Sequence, residues 1–127
     1  MHQVWHFVLL GLAGAFGALL RAGCTALATR LCGGGLPWGT LAVNVVGSLA
    51  FGVLVGLART RGAMSAGTET ILLVGLLGGF TTFASYAFQT VELLEGGHAV
   101  AALAYGLATN AAALAAVWVG LRIIGGP

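Results

Sequence analysis

Four long apolar stretches, separated by short polar or glycine-rich segments, dominate the pattern along this chain. They fall at about residues 4–21, 39–58, 69–92 and 98–122. A membrane-crossing helix needs roughly 20 apolar residues, so each stretch is predicted to be one span. The first carries small residues at Gly11, Gly14, Gly17 and Ala18, and the second at Ser48, Gly52 and Gly56. Such spacing lays a small-residue stripe along a helix and lets a neighbouring backbone approach closely. Arg21 is expected to end the first span, with its side chain snorkelling to the interface. Gly33-Gly34-Gly35 and Pro37 mark the first loop, residues 62–67 the second, and Gly96-Gly97 the third.

The third stretch changes character half-way. ILLVGLLGG reads as plain apolar helix, whereas FTTFASYAFQT does not. Gly78-Gly79 beside Thr81-Thr82 joins weak helix formers at one place. A break is therefore predicted between Gly78 and Thr82. Non-helical backbone at membrane depth persists only where protein or water covers it. Broken spans commonly present carbonyls to cations or N–H groups to anions.

Composition excludes the soluble alternative. Of 127 residues, 59% are hydrophobic and 6% are charged, against about 25% charged in soluble domains. The mean hydropathy is +1.03. A net charge of +2 is too small to point to nucleic acid. The amino-terminal stretch lacks a basic leader segment, so it is read as a retained first span and not a signal peptide. All five basic residues are arginines. With four spans, Arg59, Arg61 and Arg122 fall on one side and Arg21 and Arg30 on the other. Loop arginines set orientation, and this near-balance permits insertion both ways. Two opposed copies would then imitate the inverted repeats of larger transporters.

Candidate chemistry is sparse. Cys24 and Cys32 have no metal-ligand spacing and read as unpaired thiols. His2, His6 and His98 sit at span ends, where an interfacial role is the ordinary reading. No acid–base pair or nucleophile–histidine pair is visible, and an enzyme is not expected. What remains at membrane depth is neutral and hydrogen-bonding: Asn44, Ser48, Thr81, Thr82, Ser85, Gln89, Thr109 and Asn110. Most such groups serve helix–helix contact, and Ser48 and Asn110 are read that way. Asn44 is read as functional, because its amide brings two N–H donors into a costly place. Phe83 and Tyr86 would share a face of the second half of the third span. Their positive ring edges beside hydroxyl and amide donors suit a small anion that must shed water.

These residues resemble the Fluc (CrcB) fluoride channel family. The likeness covers nearly the whole chain: Gly14, Gly17 and Arg21; Pro37-Trp38-Gly39-Thr40-Leu41 with Asn44 before GSLAFG; GLLGGFTTFASY; then Tyr105 and Thr109. The resemblance implies an all-α membrane protein, with its third helix broken near the middle. It implies a dual-topology antiparallel dimer in a bacterial plasma (inner) membrane. It also implies passive fluoride export, and a structural, untransported sodium ion at the dimer centre. By the same likeness, the fluoride pore falls on Asn44, Phe83, Tyr86, Thr82, Ser85, Thr109 and Arg21. The sodium ligands fall on the main-chain carbonyls of Gly78 and Thr81. The partners it implies are fluoride, lipid and an inverted second copy or a paralogous subunit. Ala84, Ser85, Tyr86 and Gln89 depart from the usual pattern after TTF, and a second fourth-span serine position falls on Ala113. Two other readings stand beside this one. A small proton-coupled multidrug transporter would need a membrane-embedded carboxylate, yet Glu69, Glu92 and Glu95 all lie near span ends. A non-transporting assembly subunit would show no flux by itself.

Overall fold

A computed structural model describes residues 2–62 and 64–125. Ala63, the tail Gly126-Pro127 and the side chains of His2 and Arg61 lie outside the described residues. The elements in chain order are α1 (His2–Cys32), α2 (Trp38–Arg61), α3 (Ala66–Thr70), a π-helical stretch Ile71–Leu77, α4 (Gly78–Phe80), α5 (Phe83–Glu95) and α6 (Ala99–Gly125). Among the described residues, four helical segments are long and apolar enough to cross a membrane: Gln3–Cys32, Trp38–Thr60, Ala66–Glu95 and Ala99–Gly125. The chain is thus an all-α, multi-pass membrane protein.

The loops sit where the sequence places them. Gly33 (φ +74) leaves α1, and Pro37 (φ −76) leads into α2. A proline lacks the N–H that would go unpaired at a helix start anyway. At the end of α5, His98 N–H donates to the Leu93 carbonyl (2.8 Å) and Gly97 N–H to the Leu94 carbonyl (3.0 Å). This is the paired closure that a left-handed residue permits at a helix end, and Gly97 supplies it with φ +78.

Close backbone approach holds the bundle together. α2 lies along α6, where a Cβ on Gly52 would collide with the Val117 carbonyl and one on Gly120 with the Leu49 carbonyl. α1 lies along the first half of the third span. There a Cβ on Gly17 would strike the Leu76 carbonyl, and one on Gly79 the Gly14 carbonyl. Lipid tails are as apolar as leucine, so such packing, not hydrophobic exclusion, drives helix association. The expected stripes on the first two spans are borne out at Gly14, Gly17, Gly52 and Gly56, whereas a Cβ on Gly11 would meet nothing.

Two features differ from expectation. α1 does not end at Arg21. It continues to Cys32 as a 31-residue helix, about 46 Å at 1.5 Å per residue. Residues 22–32 are rich in alanine and leucine and contain no proline, so nothing stops the helix where its charge falls. Arg21 therefore does not snorkel from a helix end; it is part-buried and reaches the third span. The loop-arginine balance shifts accordingly, to Arg30 on one side against Arg59, Arg61 and Arg122 on the other. The second difference lies in the third span, whose plain first half contains the π-helical stretch. The break itself falls inside the expected interval and is narrower. Gly78–Phe80 remain helical, while Thr81 (φ −81, ψ 161) and Thr82 (φ −153, ψ 113) are extended.

Candidate functional site

Two extended residues inside a membrane helix strand backbone polar groups that lipid cannot satisfy. Side chains from two other helices take them up. Thr82 N–H donates to Asn44 Oδ1 (2.8 Å), and Asn44 Nδ2 donates to the Thr82 carbonyl (3.0 Å). The amide of Asn44, on α2, thus replaces a backbone partner on both sides of one residue. Arg21 Nη1, on α1, donates to the Thr81 carbonyl (3.1 Å). Thr81 keeps its own helical bond, N–H to the Leu77 carbonyl (2.9 Å), and adds its hydroxyl to the same oxygen (2.9 Å). The carbonyl of Gly78 would meet Thr82 N–H in an unbroken helix. That N–H is engaged by Asn44, and Gly78 is exposed. The α5 helix then restarts with Thr82 as its cap, its Oγ1 accepting from Ser85 N–H (3.2 Å).

Beside the break opens a groove of about 350 Å³, lined by Asn44, Ser48, Thr82, Phe83, Tyr86, Thr109 and Asn110 among others. No formally charged side chain lines it. Two rings of the lining, Phe83 and Tyr86, form a string with Tyr105 behind them. Phe83 and Tyr86 have centroids 5.5 Å apart, as do Tyr86 and Tyr105. Phe83 is 75% exposed, so the string runs from the outer surface inward. Tyr105 is buried and donates its hydroxyl to Gln89 Oε1 (3.0 Å). On α6, one turn from Tyr105, Thr109 is only 4% exposed, and its hydroxyl has no hydrogen-bond partner among the described residues. Buried hydroxyls normally find one. Asn110, the next residue, donates from Nδ2 to Tyr86 Oη (2.8 Å) and to the Gly106 carbonyl (2.8 Å). The lining thus combines hydroxyl and amide donors with aromatic rings and contains no carboxylate, a chemistry compatible with a small anion.

The comparison with known proteins decides the family. The model of the family described as CrcB-like protein, Camphor Resistance (CrcB), matches residues 8–121. A protein named fluoride-specific ion channel FluC from Chelativorans sp. (strain BNC1) is 43% identical over 93% of this chain and 94% of its own length. Proteins of the same name from Nitratidesulfovibrio vulgaris (41%; 90% of this chain, 92% of that protein) and Thermus thermophilus (41%; 94% of each) match similarly. The chain belongs to the CrcB family. Its relatives are named as ion channels, not enzymes.

Within this CrcB chain, five of the pore residues implied by the resemblance come together on one groove: Asn44, Thr82, Phe83, Tyr86 and Thr109. Ser85 lies just outside it and accepts from Thr82 Oγ1 (3.0 Å). Arg21 does not line the groove and meets the break through the Thr81 carbonyl. Thr81 is itself one of the two extended residues and also lines the groove, and Gly78 opens the short helix α4 just before it. Asn110, read from the sequence as helix–helix contact, does join α6 to α5 through Tyr86, and being exposed it also lines the groove. Its signal in the sequence is the one that marks Asn44, an amide at membrane depth, but its α6 neighbours give no hint of its partner.

Proposed function

We propose that this chain is a fluoride-selective channel that lets fluoride leave the cell passively, and that two chains in opposite orientation form the conducting unit. The carrying observation is the groove itself, an uncharged wall of donors and aromatic rings beside the break in the third span, open on one side. Against lipid, exposed amides and hydroxyls such as Asn110 and Ser85 would be costly. A second protein surface covering them removes that cost and closes the groove into a path. Fluoride is a compact, strongly hydrated anion, so its water must be replaced by donors in sequence. Thr109, the second amide hydrogen of Asn44 and, beside the groove, the Ser85 hydroxyl offer such donors. The relatives' name, fluoride-specific ion channel, supports the choice of ion. A proton-coupled exchanger is disfavoured, because Glu69 sits in the first turn of α3 and the exposed Glu92 and Glu95 in the last turn of α5.

The resident sodium ion belongs to the same proposal. The Gly78 carbonyl has lost its helical donor, and the Thr81 carbonyl keeps one lone pair beyond Arg21. Hard cations take oxygen ligands of this kind, and an inverted copy would double the set. The residues present therefore fit such an ion. When bound, it would supply a buried positive charge that favours anions alongside. The guanidinium of Arg21 on the same carbonyl opposes tight binding.

A paralogous partner is the second reading, favoured by the arginine distribution. With Arg21 drawn to the break, Arg30 alone faces Arg59, Arg61 and Arg122. A three-to-one bias favours one orientation, and an opposed partner would then be a different chain. Reconstitution of the purified chain by itself, with fluoride release followed by electrode, tests the channel and its self-sufficiency together. Restoration of flux only on adding a second subunit would select the paralogous reading.

A further inference from the structure

Tyr86 carries a hydroxyl at a position where the resemblance expects only a ring, and the structure shows what holds it. The Gly106 carbonyl, an obligate acceptor, fixes the face of the Asn110 amide, because only the NH2 end can meet it (2.8 Å). The remaining hydrogen of that NH2 group is directed to Tyr86 Oη at 2.8 Å. Tyr86 Oη is therefore the acceptor in this pair. Its own proton is not spent on Asn110, and among the described residues no other group takes it. Space is made for the hydroxyl by the absence of a side chain at Gly106, where a Cβ would stand 3.4 Å from Oη. Tyr86 and Asn110 both line the groove, next to the unpartnered Thr109 hydroxyl.

The geometry points to the Tyr86 hydroxyl as an additional hydrogen-bond donor to the permeating anion, with Asn110 as the residue that positions it. This rests on the fluoride-channel reading of the groove. A phenol that merely joined α5 to α6 would need no free proton. Here the amide donates into the oxygen and leaves the O–H to turn toward the groove, and accepting a hydrogen bond makes a phenol a stronger donor in turn. Asn110 touches no ion; it acts through Tyr86. The chain thus adds an O–H to a ring wall that would otherwise offer only C–H edges, so the groove should bind fluoride more tightly than with phenylalanine there.

A double-mutant cycle on the full chain in liposomes tests this, with the fluoride concentration that half-saturates efflux as the readout. Tyr86→Phe keeps the ring and is expected to raise that concentration about tenfold, the order expected for a lost hydrogen bond to a charged group. Asn110→Ala is expected to raise it severalfold in the parent and not at all in the Tyr86→Phe background. A purely structural Asn110 would instead lower yield or thermal stability equally in both backgrounds, leaving half-saturation unchanged. Half-saturation unaltered by Tyr86→Phe, or an Asn110→Ala effect that persists without the hydroxyl, would overturn the inference. Should Asn110→Ala fail to fold, Tyr86→Phe decides by itself. No fluoride flux from the parent chain would instead sink the channel reading, and this inference with it.

Discussion

Asn44 and Thr82 are joined by two hydrogen bonds, with the side-chain amide of one matched to both backbone groups of the other. The break in the third span depends on this match. An asparagine amide has the donor and acceptor of a peptide group, so it can stand in for a missing turn of helix. Its second N–H is left over, and it faces a residue set with no negative charge. Asn44 thereby links the architecture of the break to the chemistry of the groove.

Asn44→Asp tests that link. The carboxylate can still accept from Thr82 N–H, but it cannot donate to the Thr82 carbonyl, and it sets a negative charge in the path. Fluoride efflux is expected to fall at least tenfold. Undiminished flux in this variant would remove Asn44 from the path.

Thr109→Val separates binding from stability. Replacing an unpartnered buried hydroxyl by a methyl of similar shape removes a desolvation penalty of about 1–3 kcal/mol. Thermal stability in detergent is expected to hold or rise, while fluoride flux falls severalfold. A loss of stability would show that the hydroxyl has a structural partner.

Arg21 carries the opposite expectation. Arg21→Met strands the Thr81 carbonyl and removes a charged donor, a loss of about 1.5–3 kcal/mol. The melting temperature should drop, and Arg21→Lys, which keeps one charged donor, should drop less. Equal stability in all three proteins would deny the contact a role in holding the break.

The glycine contacts predict a sharp contrast within α1. Gly17→Val drives a branched side chain into the Leu76 carbonyl, with overpacking costs of about 1–3 kcal/mol or more. Gly23→Ala meets nothing within 4 Å and should stabilise the helix by up to about 1 kcal/mol. Thermal unfolding of the two variants checks the direction of each.

The spans, their loops and the place of the break were legible because composition and periodicity speak directly to lipid and to helix propensity. Gly78-Gly79 and Thr81-Thr82 announced weak helix on their own. The true end of α1 was not legible. An arginine reads as a boundary, and only the Thr81 carbonyl, sixty positions away, explains its place within a helix. The π-helical stretch was equally hidden, since ILLVGLL is apolar in any helical register. Asn44 stood out as an amide at depth, but its partner is a backbone, which no side-chain pattern reveals. Asn110 needed the α5–α6 packing before its tie to Tyr86 could be seen.

The most direct test of the central claim is anion efflux from liposomes holding this chain alone, with fluoride and chloride compared under the same gradient. The channel account predicts rapid fluoride release with chloride flux near the protein-free background. No release of either ion, or equal release of both, would contradict it.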